Sequence, residues 1–121
     1  MLVTMIPPLQ SALSGLYAAT TKLRANADNI ANLSSEGFQR TRVLQASTTA
    51  GGVRSVTEKV TTPGHVQYEE TNNGSELIEL SNVELATEIP DVNLNATMFK
   101  ASLKAIETTD EMLGSLLRIK A

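Results

Sequence analysis

The stretch NADNIANLSSEGFQR, residues 26–40, sets asparagine at positions 26, 29 and 32 of a segment that otherwise reads as an amphipathic helix. Asparagine is a mediocre helix former because its amide competes with the backbone for local hydrogen bonds. A step of three residues advances about 300° around a helix, so the three amides form a slowly rotating row. Asn26 flanks the apolar seam, and Asn29 and Asn32 are expected to drift to its outer face. Two readings are open. Asn32, and with it Asn29, can simply bond the exposed carbonyls of a helix end and the SSEG turn. Alternatively, amides that both donate and accept lock the corner and register neighbouring molecules. Gly37 is the residue best able to take positive φ after the helix, and Phe38 then restarts the chain as a strand.

Upstream of the quoted stretch, Leu9, Leu13, Leu16, Thr20, Leu23, Ala27 and Ile30 follow alternating steps of four and three, a heptad seam. Ala12, Ala19 and Leu33 widen the stripe. The periodicity predicts a helix from about Leu9 to Asn32, roughly 36 Å long at 1.5 Å per residue, behind a loose start at residues 1–8 that includes Pro7 and Pro8. Gly15 inside it is explained either by a close neighbour or as a tolerated defect.

Downstream, QRTRVLQA (39–46) has the character of a half-exposed strand. TTAGG (48–52) is a turn, and residues 53–62 alternate well enough for a second strand closed by Pro63-Gly64. HVQYEE and ELIEL flank TNNGS, where Asn73-Gly74 is a hairpin signal. The middle third is therefore read as a small antiparallel β region.

Ser81 and Glu84 fit an S-x-x-E capping box ahead of a second periodic segment. Ile89, Val92, Ala96, Phe99, Leu103, Ile106, Asp110, Leu113 and Leu117 again alternate steps of three and four. Pro90 lies in the opening turns and predicts a kink, or a short helix followed by a fresh start. Asp110 on the seam implies a watery seam end or a bond to a partner chain.

The 121 residues carry 41% hydrophobic but only 3% aromatic residues, which suits thin helix-on-helix seams better than a thick interior. The net charge of −3 and the lack of any long basic run argue against a nucleic-acid partner. There is no cysteine, so disulfides, thiolate nucleophiles and cysteine-based zinc sites are excluded together. The start MLVTMIPPLQ lacks the pattern of a cleaved signal peptide, and no stretch approaches the ~20 apolar residues of a membrane span, so direct membrane insertion is not expected. His65 reads as a solvated loop residue. Glu69-Glu70 and Asp110-Glu111 are adjacent acids with nothing converging on them. Arg40 and Arg42 share one strand face, either solvated or paired with acids of a neighbouring molecule. No catalytic residue, cofactor or metal ligand stands out.

Two blocks of the chain resemble the flagellar basal-body rod family, the axial proteins of rod and hook. The first comprises Ser14-Gly15-Leu16, Asn29-Ile30-Ala31-Asn32, Gly37-Phe38 and Gln39-Arg40. The second comprises Ser81-Asn82-Val83-Glu84-Leu85, Glu88-Ile89, then Ile106, Thr108, Asp110 and Met112-Leu113. Together they span about residues 9–46 and 81–120, and the short middle is similar to the proximal rod subunits. Ala96-Thr97 and Phe99 depart from the Gln-Arg and Tyr often found in the family.

The expected fold is mainly α with a small antiparallel β region: terminal heptad helices paired as a coiled-coil-like hairpin, with a β-hairpin segment between them. One structural unit is expected, made of an N-terminal helix and corner (1–46), a β region (47–80) and a C-terminal helix (81–121). The resemblance implies a non-enzymatic rod subunit that polymerises through its terminal helices, for motility. It further implies partners among other rod and basal-body subunits, unfolded passage through the flagellar type III export apparatus without a cleaved signal, and a place in the periplasm-spanning rod. The expected interface residues are Leu13, Leu16, Leu23, Asn29, Ile30, Asn32, Gly37, Phe38, Phe99, Leu103, Ile106, Leu113 and Leu117. The competing reading is a free-standing coiled-coil adaptor or small homo-oligomer.

Overall fold

A computed structural model describes the backbone of residues 2–120 and the side chains of residues 7–119. The chain forms helix α1 (Leu2–Ala31), strands β1 (Thr41–Ser47), β2 (Val53–Lys59), β3 (Val66–Thr71) and β4 (Gly74–Glu79), and helix α2 (Leu85–Lys120). The two helices pack on each other, and β1 and β2 pack on α1. The mixed architecture agrees with expectation.

Both helices pass through proline. Helix α1 starts at Leu2 rather than near Leu9, with Pro7 and Pro8 inside it. Helix α2 continues through Pro90 without the expected restart. Each proline lies within the first two turns, where its missing N–H removes a bond only from the helix opening. The Ala86 carbonyl, deprived of Pro90 as donor, sits on an exposed residue where water replaces it. Helix α2 also begins without the capping box. The Glu84 carbonyl accepts from Thr87 and Glu88, while the Ser81 hydroxyl donates across the molecule to the Leu33 carbonyl.

The β region is two separate two-stranded antiparallel sheets. Hairpin β1–β2 pairs Thr41 with Lys59 through Ser47 with Val53, closed by the expected turn at residues 48–52. Its inner residues face α1. The Ser14 hydroxyl accepts from the Val53 N–H at 3.0 Å and donates to the Ser11 carbonyl. Hairpin β3–β4 pairs Val66 with Glu79 through Thr71 with Gly74, so its tip is Asn72-Asn73. The turn thus falls one residue earlier than Asn73-Gly74, and Gly74 carries the positive φ that neither asparagine adopts. Every residue of this hairpin except Ile78 is exposed. It is tied back where Gly37 N–H donates to Glu79 O, Leu80 N–H to His65 O and Gly64 N–H to the Glu79 carboxylate.

The core between the helices differs from two interlocked apolar seams. Its buried apolar side chains are Ala18, Ala19 and Ala25 of α1, with Val83 just ahead of α2. The covered stripe of α2 is Glu88, Val92, Asn95, Phe99, Ser102, Ile106, Thr109, Leu113 and Leu116. It is still a heptad stripe, and it keeps the expected Val92, Phe99, Ile106 and Leu113. The other expected series, Ile89, Ala96, Leu103, Asp110 and Leu117, is displaced by one residue, so that Glu88, Asn95 and Ser102 take the inner places of Ile89, Ala96 and Leu103, and Thr109 and Leu116 those of Asp110 and Leu117. Ile89, Leu103, Asp110 and Leu117 are therefore exposed. On α1 the stripe runs along small residues, and Gly15 lies so close to α2 that an added Cβ would stand 3.2 Å from the Ser102 hydroxyl. The close neighbour accounts for that glycine.

Candidate assembly interface

Two features converge on function: a buried polar corner that joins both helices to the first hairpin, and a set of large apolar side chains left uncovered. The corner is where the quoted asparagines lie. Asn29 is 1% exposed and Asn95 0%. The Asn26 amide donates to Glu88 Oε2 at 2.8 Å and to Asp91 Oδ2 at 2.9 Å. Asn95 donates to Asn26 Oδ1 at 2.7 Å and to Asp91 Oδ2 at 3.3 Å. Asn29 donates to Glu88 Oε1 at 3.2 Å and to the Thr41 carbonyl at 2.9 Å, and its own oxygen accepts from the Thr41 N–H at 2.8 Å. Asn29 thus treats the start of β1 as a strand would, holding both polar groups of one residue.

Glu88 is buried, and its charge is met by two amides and by the Arg40 guanidinium at 3.8 Å. Asn82 completes the corner. Its side-chain oxygen accepts from the Arg40 N–H at 2.6 Å, and its amide donates to the carbonyls of Val60 and Thr62 at 2.8 Å each. The only buried side-chain atoms without a partner, among the described residues, are Asn95 Oδ1 and Ser55 Oγ.

The expected outward drift of Asn29 does not occur; with Asn95 it is among the most enclosed residues of the corner. Asn32 is half-buried and has the local role. Its amide donates to the Asp28 carbonyl at 2.9 Å, and its oxygen accepts from Ser35 Oγ. Gly37 takes φ 66° at the turn, as the sequence anticipates. Phe38 is half-buried, with the Lys59 ammonium 4.8 Å from its ring centre. Arg40 and Arg42 pair with acids of their own chain, Glu88 and Glu58 respectively, Arg42 remaining half exposed.

Polar matching explains the rotated stripe. A buried polar group left unpartnered costs roughly 1–3 kcal/mol. A fully buried leucine gains roughly 1.5–3 kcal/mol over an exposed one. Turning α2 to enclose Leu103 and Leu117 would break the bonds of Asn26 and Asn29 to Glu88, Asp91 and Asn95 together, and the polar loss is larger. Glu88, Asp91, Asn95 and Asn82 were not singled out from sequence. The legible signal was the matched spacing of polar residues, 88-91-95 against 26-29, at the facing ends of both helices.

The second feature follows from the first. Of the expected interface residues, Leu13, Leu103 and Leu117 are exposed, the last two at 44% and 56%. Leu16, Leu23, Ile30, Phe99, Ile106 and Leu113 are half-buried. Tyr17, Ile89, Leu94, Met98 and Met112 add further uncovered apolar area along the helices. Scattered apolar residues are ordinary on a surface; here most of them lie along α2, with Leu13 and Tyr17 on α1.

Residues 75–119 match the family described as flagellar basal body rod FlgEFG protein C-terminal. This C-terminal third of the chain is similar to the flagellar rod family. The matched segment runs from β4 through the whole descent of α2 to Ile119, and so contains the acids of the polar corner together with Leu103 and Leu117. The rod family is structural, not enzymatic. No curated protein sequence matches the chain. Among the described residues, no helix is long and apolar enough to cross a membrane.

Proposed function

We propose that this protein is a structural subunit of the flagellar basal-body rod, polymerising through its terminal helices. The observation that carries the reading is the mismatch between the helical pair and its apolar residues. Helices α1 and α2 meet over alanine, asparagine and glutamate, and leave Leu13, Ile89, Leu103 and Leu117 outward. Neighbouring subunits cover that surface, so stability rises with assembly. Contacts between unlike faces that do not close on themselves build an open helical tube. The N-terminal Ser14-Gly15-Leu16 and Asn29-Ile30-Ala31-Asn32 block supports the same family, and the short middle between the two blocks supports a proximal-rod-like member. On this reading the three sequence segments act as one unit, and the subunit travels through the type III export apparatus without a cleaved signal to the periplasm-spanning rod. Its partners are other rod and basal-body subunits.

The test is the double variant Leu103→Asp/Leu117→Asp. Both residues are exposed in the monomer, so its circular dichroism and melting should stay near wild type while concentration-dependent assembly and swimming are lost. Normal assembly by the variant refutes the helical interface. A wild-type dimer or tetramer of constant size at every concentration, dispensable for swimming, favours a free-standing coiled-coil adaptor instead.

A further inference from the structure

The two hairpins carry opposite charge and complementary apolar faces. On β3–β4, Val66, Tyr68 and Leu77 share one side: Tyr68 stands directly opposite Leu77, and Val66 lies two residues from Tyr68. All three are exposed, Tyr68 at 76%. The hairpin bears four glutamates, Glu69, Glu70, Glu76 and Glu79, and no lysine or arginine. Glu70 lies on the Val66–Tyr68 side, while Glu69 and Glu76 face each other across the reverse side, a like-charge pair that weakens a lone hairpin. Among the described residues, no other strand or helix packs on β3–β4. A two-stranded hairpin this exposed is marginal by itself.

The outer face of β1–β2 is its counterpart. Leu44 and Val56 stand directly opposite each other and are both exposed, while α1 covers the inner face. Arg42 and Arg54 flank that apolar pair on the same side. Arg42 is partly neutralised by Glu58, whereas Arg54 forms no ion pair among the described residues.

We infer that hairpin β3–β4 of one subunit docks by its Val66–Tyr68–Leu77 face onto the Leu44–Val56 face of β1–β2 in a second copy, with Glu70 drawn to Arg54. The donor and acceptor faces differ, so the contact is head-to-tail and propagates without closing. Each face is only a few residues wide, well short of the ~1,200 Å² of a self-sufficient interface. The contact acts when the helices already hold neighbours together, as a second site of high effective concentration. The inference rests on the polymerisation proposed above.

The chain has no cysteine of its own, so engineered thiols report cleanly. Full-length Tyr68→Cys and Val56→Cys variants are assembled separately and together under mild oxidation. Disulfide-linked dimers are expected in the mixture and not in either variant alone. Arg54→Glu should raise the critical concentration for assembly about tenfold through like-charge contact with Glu70, and Glu70→Lys/Arg54→Glu should recover it. Dimers of Tyr68→Cys alone mean a symmetric hairpin contact and overturn the inference. So does wild-type assembly by Arg54→Glu, or a loss that Glu70→Lys does not rescue. In those cases helix-driven assembly still stands, whereas a wild-type chain that never assembles brings down both readings.

Discussion

Replacing Asn29 tests the polar corner most directly. Asn29→Ala removes a donor from Glu88 and deprives both the N–H and the carbonyl of Thr41 of their side-chain partner. Neutral hydrogen bonds contribute about 0.5–1.5 kcal/mol each, and bonds to charged groups about 1.5–3 kcal/mol. The three together give a loss of roughly 3–5 kcal/mol, less whatever water recovers. That is a large share of the ~5–15 kcal/mol stability of a natural domain. With a urea m-value of ~1–3 kcal/mol/M, the unfolding midpoint should fall by at least about 1 M. Asn29→Asp should be worse than Asn29→Ala. It keeps the acceptor for Thr41 N–H but sets a third carboxylate oxygen against Glu88 and the Thr41 carbonyl. Urea unfolding followed by circular dichroism measures the order, and hydrogen exchange at the Thr41 amide localises it. A midpoint within about 0.3 M of wild type for Asn29→Ala, or an aspartate variant more stable than the alanine one, would refute the claim that amides hold the buried acid.

Other substitutions probe separate joints. Ser14→Ala should cost about 1 kcal/mol and speed exchange at the Val53 amide, with the remaining β1–β2 amides unchanged, because only that tether to α1 is lost. Gly64→Ala should cost several kcal/mol by thermal melting and loosen the β3–β4 hairpin, since its Cβ would lie 2.2 Å from the Leu80 carbonyl oxygen. Pro90→Ala should stabilise the chain by about 1–3 kcal/mol in urea, by returning an N–H to the exposed Ala86 carbonyl. An unchanged midpoint would mean that the opening turn of α2 frays with or without proline.

Much of this fold could be read in the sequence, and the misses share one cause. Heptad spacing located both helices, and the glycine at 37 located the corner, because each depends on the residue itself or its near neighbours. The orientation of the helices about their axes did not follow. Hydrophobic periodicity placed Leu103 and Leu117 inside, whereas the partner helix offers Asn26 and Asn29, whose demands decide which side of α2 faces inward. Pro7 and Pro8 read as a boundary because a proline normally stops a helix. They sit where a helix has few bonds to lose. The first hairpin was found with its turn intact. The second was found one residue out of place, since Asn73-Gly74 is a common two-residue tip and only the pairing register shows Asn72-Asn73 to be the tip here.

A seam of leucines tolerates slippage, because one greasy residue is much like the next a heptad away. The corner of this molecule does not. Sliding α2 by seven residues would bring Asn95 to the place of Glu88, facing Arg40 with no negative charge and facing Asn29 with another amide. The helices consequently have a single alignment, and the first hairpin, pinned to Asn29 through Thr41, inherits it. Every copy therefore presents its outer faces at the same height along its length, which the proposed stacking of copies requires.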